Sequence, residues 1–332
     1  MKNIMKKISF FFIFLIFILI FIYFAIGFYI ANSILRINTG CGLHDGSLPN
    51  SWSTFVDHHE YTNLSRRDLR KNFSSKDYYL DEWQNVFFPS RDKEIKISGW
   101  LFNYFPDKPI VIVIHGLFPN GKCKPESNLI ASLLIKNKIN ALTIDLRNYG
   151  QSSKVSEYEN LGLNEYKDVL GAYDFLQKIG FEKNEIGLVG ISLGGTSAIF
   201  AAQKESEIKA IWLDSTLAEF KLILKDEIAR YNLPHDFGPA VSIAGKLLTG
   251  IDPTKLSPAF ALSKSQNYFF THGEKDLRVL PHHFEYIQSY SKKNNIKADF
   301  WLVDNAYHVD AMFKFPENYG LRMKKFFEKN LK

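Results

Sequence analysis

The sequence predicts an α/β protein with a mostly parallel central sheet and helices on both faces, preceded by one membrane-spanning helix. From about residue 82 onward, short and fully apolar runs alternate with segments of helical periodicity, which is typical of buried strands between covering helices. A single long uncharged run lies near the N-terminus. The 332 residues are 46% hydrophobic and 23% charged, which excludes a largely disordered chain and a polytopic membrane protein.

The long uncharged run is the predicted membrane anchor. Residues 8–30 carry no charge, and about 20 apolar residues are enough to cross a bilayer. A cleaved signal peptide is the alternative, but its apolar core usually has about 7–15 residues and ends at a small-residue cleavage site. Three lysines within residues 1–7 precede the run, and only Arg36 follows it closely. The positive-inside rule therefore predicts a single-pass protein whose residues 1–7 are cytoplasmic and whose remaining chain is periplasmic, extracellular or lumenal.

Residues 31–81 show no clean periodicity and are predicted to form a linker with short helical pieces. Asn63 and Asn72 fit the N-glycosylation sequon, which has meaning only in a eukaryotic secretory host. The two cysteines, Cys41 and Cys123, exclude a disulfide-rich miniprotein and a four-cysteine zinc site, and they are enough for one disulfide. The net charge of +6 is too small to indicate nucleic-acid binding, so no nucleic-acid partner is predicted.

The remaining chain, residues 82–332, is predicted to be a single α/β domain. Two strands joined as a hairpin are expected at 83–88 and 95–104. Fully apolar runs that predict buried parallel strands follow at 110–114, 141–144, 186–189, 210–213 and 268–270, with a last strand near 298–303. Helical periodicity separates them at 128–135, around 166–176 and at 196–203. Ligands bind at the carboxyl ends of such strands, so function is sought in the residues that follow each one.

The segment GISLG at 190–194 follows the third buried strand and fits the pattern G-x-S-x-G. A serine on a sharp strand-to-helix turn projects its hydroxyl from a strained backbone, and flanking glycines let neighbouring chain approach without a Cβ clash. The helix that starts there directs its amide dipoles toward developing negative charge. A glycine-rich β–α turn without chemistry has the same pattern, but the preceding buried strand favours Ser192 as a nucleophile.

A serine hydroxyl needs a general base, which in turn needs a carboxylate to orient it. His308 lies after the last predicted strand and is the candidate base. Asp276 follows the fifth buried run and is the candidate acid, with Asp214, Glu274 and Asp304 as rivals. The position of Asp214 at a strand end favours a structural carboxylate.

A tetrahedral intermediate requires two backbone donors for its oxyanion. The amide of Leu193, directly after the serine, is one candidate. The other is expected in the loop after the first buried strand, from Leu117 or Phe118, with Leu117 preferred. His115 precedes that loop and is expected to be a structural hydrogen-bonding residue.

The same loop offers a competing interpretation. The segment GLFPNGKC at 116–123 matches the phosphate-binding P-loop pattern except at its last position, where Cys123 replaces Ser or Thr. A thiol is a poor ligand for the hard cation that accompanies nucleotides. Nucleotide binding would also leave Ser192 and His308 without a role, so it is the weaker hypothesis.

Taken together, these segments resemble the α/β-hydrolase superfamily, in particular its membrane-anchored, monoacylglycerol-lipase-like and prolyl-oligopeptidase-like members. The matching segments occur in the family's order from about residue 82 to 327: HG at 115–116, DLRNYGQS at 145–152, GISLGG at 190–195, DS at 214–215, HG at 272–273 with Asp276, and His308. The resemblance implies a Ser192, Asp276, His308 triad, acyl transfer to water and no metal or organic cofactor. It further implies that Arg147 ties loops beneath the site.

The resemblance also places a variable cap at about 216–263, which either acts as a lid or is a pair of packed helices without a gating role. The function that follows is a membrane-anchored serine hydrolase that cleaves esters of small acyl or lipid-like substrates. A serine peptidase acting on short peptides is the first alternative, and an inactive hydrolase-fold binding module is the second. The membrane, through the N-terminal helix, is the expected partner, and no oligomeric state is predicted.

Overall fold

The computed structural model describes residues 2–37, 46–54, 73–92, 94–117 and 121–332. The asparagines of both glycosylation sequons, Cys41 and the alternative oxyanion donor Phe118 lie outside the described residues. The remaining predicted site residues all lie within them.

Eight strands form one mixed sheet in the order β1-β2-β4-β3-β5-β6-β7-β8. The strands are β1 (Gln84–Pro89), β2 (Lys96–Phe102), β3 (Ile110–Ile114), β4 (Asn140–Asp145), β5 (Ile186–Ile191), β6 (Ala210–Asp214), β7 (Asn267–Gly273) and β8 (Lys297–Val303). β2 pairs antiparallel with both β1 and β4, and β3 to β8 are mutually parallel. The predicted hairpin and the mostly parallel sheet are confirmed.

Helices cover both faces of the sheet. They are α1 (Lys2–Leu35), α2 (Pro125–Lys136), α3 (Tyr166–Lys178), α4 (Leu193–Lys204), α5 (Phe220–Arg230), α6 (Gly238–Thr249), α7 (His282–Asn294), α8 (Ala311–Lys314) and α9 (Pro316–Asn330). Alternate residues of β3 enter different cores, with Ile112 among the side chains of α3 and α4 and Val113 among those of α2 and α9. This alternation explains why the central strands are apolar throughout.

The cap lies between β6 and β7, where it was expected, and consists of α5, α6 and short 3₁₀ turns. Each of its helices buries one side only. Ile228 of α5 and Val241 of α6 are buried, whereas Leu247 of α6 is exposed. The cap therefore covers the sheet edge as a thin helical layer.

Part of the predicted linker is packed against the domain. Trp52 is fully buried, and the Tyr79 hydroxyl donates a hydrogen bond to its carbonyl at 3.1 Å. Tyr78 and Leu80 are buried in the same cluster as α2 and α9. The aromatic residues scattered through this polar stretch bury enough apolar surface to hold it on the domain, which a search for periodicity does not detect.

Helix α1 is long and apolar enough to cross a membrane. It continues five residues beyond the predicted anchor, to Leu35, and it divides into two parts. The free segment, residues 5–22, is exposed throughout, and its 18 residues span about 27 Å, close to the roughly 30 Å of a bilayer's hydrocarbon core. The docked segment, residues 23–35, packs against α6 of the cap.

Candidate active site

The turn between β5 and α4 holds Ser192 in a strained conformation, with φ 52° and ψ −114°. Its neighbours leave no room for side chains. A Cβ on Gly190 would lie 2.5 Å from the carbonyl oxygen of Gly194, and a Cβ on Gly194 would lie 2.2 Å from that of Ile114. The glycines at 190 and 194 therefore allow the tight turn that presents the Ser192 hydroxyl at the carboxyl edge of the sheet.

His308 and Asp276 come to this turn from loops that follow β8 and β7. The Ser192 Oγ lies 3.0 Å from His308 Nε2, and His308 Nδ1 lies 2.8 Å from Asp276 Oδ2. An ionised carboxylate can only accept, so Nδ1 carries the proton and the Nε2 lone pair faces the serine hydroxyl. The structure thus brings together the three residues that the sequence singled out, in the orientation that proton transfer from serine requires.

The Asp276 carboxyl is fully enclosed and saturated with donors. Its Oδ1 accepts hydrogen bonds from the amides of Arg278 and Val279, at 2.8 and 2.9 Å. Burial by itself would raise the pKa of Asp276, but His308, His272 and the Val279 amide hold this pKa below its usual value. The group therefore remains an anion at neutral pH and fixes the imidazole of His308.

The rival carboxylates are accounted for elsewhere. Asp214 is buried and accepts hydrogen bonds from the hydroxyls of Ser215 and Tyr319, at 2.8 and 2.9 Å. Burial raises the pKa of Asp214 to about 7. Glu274 accepts from the amide of Asn305, and Asp304 is exposed. Asp214 is a structural carboxylate, as its strand-end position predicted.

Sequence reasoning assigned no role to His272, which lies beside Asp276. Its Nε2 donates to the carbonyl of Val279 at 2.8 Å and lies 3.3 Å from Asp276 Oδ2. Burial lowers the pKa of His272, so its ring stays neutral. Strand β7 places this histidine four residues before Asp276, and that spacing was the available signal for a residue that supports the loop of the acid.

Leu193 and Leu117, the two candidate oxyanion donors, line the same cleft as Ser192 and His308. Leu193 is the first residue of α4, where backbone amides have no acceptor within the helix. The ammonium of Lys124 donates to the carbonyl of Leu117 at 2.7 Å and holds that loop in place. The structure therefore places both leucines in the wall of the cleft that contains Ser192.

His115 fastens the start of the same loop. Its Nδ1 donates to the carbonyl of Gly116 at 2.8 Å, and its Nε2 accepts from the amide of Leu146 at 3.1 Å. Burial lowers the pKa of His115 to about 4, so the ring is neutral with its proton on Nδ1. His115 is the structural residue that the sequence predicted.

In the P-loop-like segment, the described residues 121–123 make internal contacts within the domain. The buried ammonium of Lys122 forms an ion pair with Asp145 and donates to Ser98 Oγ at 2.7 Å. Cys123 is disulfide-bonded. The lysine that would contact a phosphate is thus engaged internally, which disfavours the nucleotide-binding interpretation.

The segment that follows β4 is structural, as the resemblance implied. Arg147 is buried and forms ion pairs with Asp168 at 2.7 Å and with Asp92 at 2.9 Å. Asp92 belongs to the turn between β1 and β2, and Asp168 to α3. Arg147 therefore ties loops together beneath the site.

The reacting groups open into an apolar cleft that encloses about 920 Å³, its open mouth included. The cap contributes eight of its 18 described lining residues, and the docked segment of α1 contributes three. The residues of α1 that line it are Ala31, Ile34 and Leu35. Sequence reasoning treated α1 as an anchor only. The missed signal was the small pair Gly27 and Ala31, four residues apart, at the end of the apolar run.

One group in the described residues has the spacing of a metal site, formed by Asp226, His282 and His283. Its chemistry does not suit a metal. His283 Nδ1 accepts the amide proton of Ala218 at 3.0 Å, so Nε2 carries the ring proton and donates it to Asp226 at 3.1 Å. A coordinating nitrogen needs a free lone pair, so this group is a hydrogen-bonded junction between α5 and α7.

Comparison with known proteins agrees with this architecture. A family model described as the alpha/beta hydrolase fold matches residues 109–242. A thiohydrolase of Aspergillus aculeatus, aneE, is 30% identical over 118 residues, which are 35% of this chain and 36% of that protein. The chain thus matches about a third of the length of this curated relative.

Solved structures share the fold at low sequence identity. An esterase of Pyrococcus furiosus superposes with a TM-score of 0.64 and 21% identity, covering 90% of this chain and 99% of that one. An acylaminoacyl peptidase of Pyrococcus horikoshii gives 0.59 and 18%, covering 76% of this chain and 42% of that one. The strand order, the Ser192 turn and these likenesses agree, and the chain has the α/β-hydrolase fold.

Proposed function

We propose that the chain is a membrane-anchored serine hydrolase that cleaves carboxylic esters with apolar acyl groups. The observation that carries the proposal is the hydrogen-bonded series Ser192, His308 and Asp276, with contacts of 3.0 and 2.8 Å, at the base of an apolar cleft. The likenesses to known proteins add support, because the matched proteins include an esterase and a thiohydrolase by name.

The geometry suits a two-step acyl transfer. Ser192 Oγ attacks the acyl carbon while His308 Nε2 takes its proton, and the amides of Leu193 and Leu117 stabilise the oxyanion. The tetrahedral intermediate expels the alcohol, which receives the proton from His308, and leaves the acyl group on Ser192. Water then attacks this ester by the same route and releases the carboxylic acid. Asp276 orients the imidazole and stabilises its charged form.

The lining of the cleft favours ester over peptide substrates. The charged side chains among the lining residues are Glu227 and Arg278, which form an ion pair with each other at 3.1 Å. An extended peptide needs hydrogen-bonding partners for its backbone, whereas an acyl chain needs only apolar contact. Because Glu227 and Arg278 neutralise each other, neither side chain offers a free charge to bind the charged terminus of a peptide.

The predicted topology forms part of the proposal. Residues 1–7 hold three lysines and are assigned to the cytoplasm, and the catalytic domain is assigned to the opposite side. The disulfide at Cys123 supports this orientation, because disulfides persist in oxidising compartments. Fusing a reporter active only outside the cytoplasm to Lys332 tests it, and a signal equal to that of a cytoplasmic control would contradict it.

The nucleophile is tested with the full chain in detergent, by fluorophosphonate labelling and by turnover of p-nitrophenyl esters, a thioester and aminoacyl nitroanilides. Ser192→Ala is expected to abolish labelling and to lower ester turnover at least about 10⁴-fold. Ser197→Ala, in the helix that follows the Ser192 turn, serves as the matched control and should change neither. Faster turnover of the nitroanilides than of the esters would favour the peptidase. Persistent labelling of Ser192→Ala would exclude the assigned nucleophile, and native protein that is neither labelled nor active would point to an inactive binding module.

A further inference from the structure

We propose that the docked segment of α1 is part of the acyl-binding site and sets the acyl-chain length that the enzyme accepts. Ala31, Ile34 and Leu35 form one wall of the cleft that contains Ser192 and His308. The inference rests on the proposed hydrolase function and adds a substrate class, esters of a single straight acyl chain that reach the cleft from the membrane. The anchor is then a specificity element as well as a tether.

The first argument is the regularity of the docked face. The residues that α1 turns toward the domain are Tyr23, Ile26, Gly27, Ile30, Ala31, Ile34 and Leu35. Their spacing alternates between three residues and one, which is the spacing of a single helix face. Ile30 and Ala31 are 0% and 1% exposed, the values of core residues, although they lie in a helix whose residues 5–22 are exposed. A simple tether has no need to bury them.

The second argument is the closeness of the contact with α6. A Cβ on Gly27 would lie 2.5 Å from the Cβ of Ala240, so glycine is required for this approach. Ala31 on α1 and Ala244 on α6 stand four residues beyond this contact on their own helices, and both are buried. Paired small residues at this spacing are how helices pack closely within membranes. The cap and the anchor thus form one unit.

The third argument is that hydrogen bonds attach the chain to the domain directly at the end of α1. The amide of Glu159 donates to the carbonyl of Leu35, and the amide of Ile37 donates to that of Glu157, both at 2.8 Å. The Tyr158 hydroxyl donates to Asn32 at 3.1 Å. These bonds fix Ile34 and Leu35 relative to Ser192 and His308. A wall that limits the length of an acyl chain must have such a fixed position.

The fourth argument is the path from the bilayer. The docked segment begins at Tyr23, whose ring stacks on Phe237 at 5.2 Å and whose hydroxyl donates to the carbonyl of Asp236 at 2.8 Å. From Tyr23 to Ala31 and Leu35 the helix rises about 12–18 Å. A headgroup layer is about 5–8 Å thick, so the cleft wall lies just beyond it. An acyl chain that leaves the lipid can follow one continuous apolar helix to the site.

The test uses the full chain in detergent micelles and compares p-nitrophenyl octanoate with p-nitrophenyl acetate. Ile34→Trp fills the cleft and is expected to lower the octanoate-to-acetate ratio of kcat/KM at least tenfold. Ile34→Ala enlarges the cleft and should raise this ratio. Phe28→Trp, on the exposed side of the same helix, is the matched control and should leave activity and ratio unchanged.

A binding experiment separates this inference from the proposed function. In the Ser192→Ala background, the affinity for a dansyl-labelled undecanoic acid is expected to fall at least tenfold with Ile34→Trp and to be unaffected by Phe28→Trp. If the native protein hydrolyses no ester but this difference in affinity is found, the hydrolase proposal fails and the acyl site stands. If both Ile34 variants match the native ratio and affinity, or Phe28→Trp reproduces the effects, the role of α1 in the site is wrong.

Discussion

The catalytic rim and the cleft wall of this protein are built on opposite principles. At the rim, Ser192, His308 and Asp276 are held by directional hydrogen bonds, and the carboxylate of Asp276 accepts from several donors at once. In the wall, residues of α1, α5 and α6 meet through apolar contact. The energetic cost of a mutation rises steeply when a hydrogen-bond network loses one atom. In apolar packing, this cost is proportional to the volume that the mutation adds or removes. Chemistry and selectivity should therefore respond differently to mutation.

The largest effect is expected at the rim, from Asp276→Asn. The amide keeps the shape of the carboxylate but can stabilise the wrong tautomer of His308 and cannot stabilise its charged form. We expect kcat to fall by about 10³–10⁴ with KM little changed, measured with p-nitrophenyl acetate. Asp304→Asn, at the exposed rival carboxylate, should retain native kcat. A comparable loss of kcat in both variants would show that the assignment of Asp276 as the acid is wrong.

A smaller effect is expected in the wall, from Gly27→Leu. The new side chain must displace Ala240, because even a Cβ meets it at 2.5 Å. Overpacking of this kind costs about 1–3 kcal/mol, so the midpoint of thermal unfolding should fall by about 1–4 °C. The octanoate preference should fall severalfold while Ser192 remains labelled by fluorophosphonate. Ala25→Leu, at an exposed position on the same helix, is the control, and an equal effect there would show that the docked face has no special role.

The smallest effect on catalysis is expected at His115, because this histidine acts on stability rather than on rate. Burial lowers its pKa from 6.5 to about 4. Between these values the unfolded chain binds more protons than the folded one, so lowering the pH through this window costs stability, at most about 3 kcal/mol. Gln at this position keeps an acceptor for the Leu146 amide but does not titrate. His115→Gln should thus flatten the fall in unfolding temperature between pH 6.5 and 4.5, and parallel curves for both proteins would contradict the assignment.

The same contrast explains what the sequence could predict. The rim follows from chain order, since the buried strands fix one edge of the sheet and the residues after them must gather there. Ser192, Asp276 and His308 were found in this way, and the structure brings them together. The contacts that support the site could not be predicted in this way. The hydrogen bond from Lys124 to the Leu117 carbonyl, for example, depends on the path of a loop, and a loop has no periodic sequence pattern.

The wall was largely beyond prediction, for a physical reason. Apolar residues in a membrane helix carry no signal that distinguishes a lipid-facing position from a protein-facing one, because both environments are equally apolar. Residues 31–35 were expected to belong to a linker, yet they continue the helix into the cleft. Only the small residues Gly27 and Ala31 indicated a packed face, and their role is recognisable only when the position of α6 beside them is known.

The backbone bonds at the end of α1 have a mechanical consequence. Glu157 and Glu159 bond to the chain at Ile37 and Leu35 on both sides of a single bridge, which ties the end of α1 directly to the domain. In the proposed membrane-anchored arrangement, this attachment holds the mouth of the cleft at one tilt and one height over the lipid. The search for substrate is then a lateral movement in two dimensions, and the depth of a scissile bond becomes a criterion of selection.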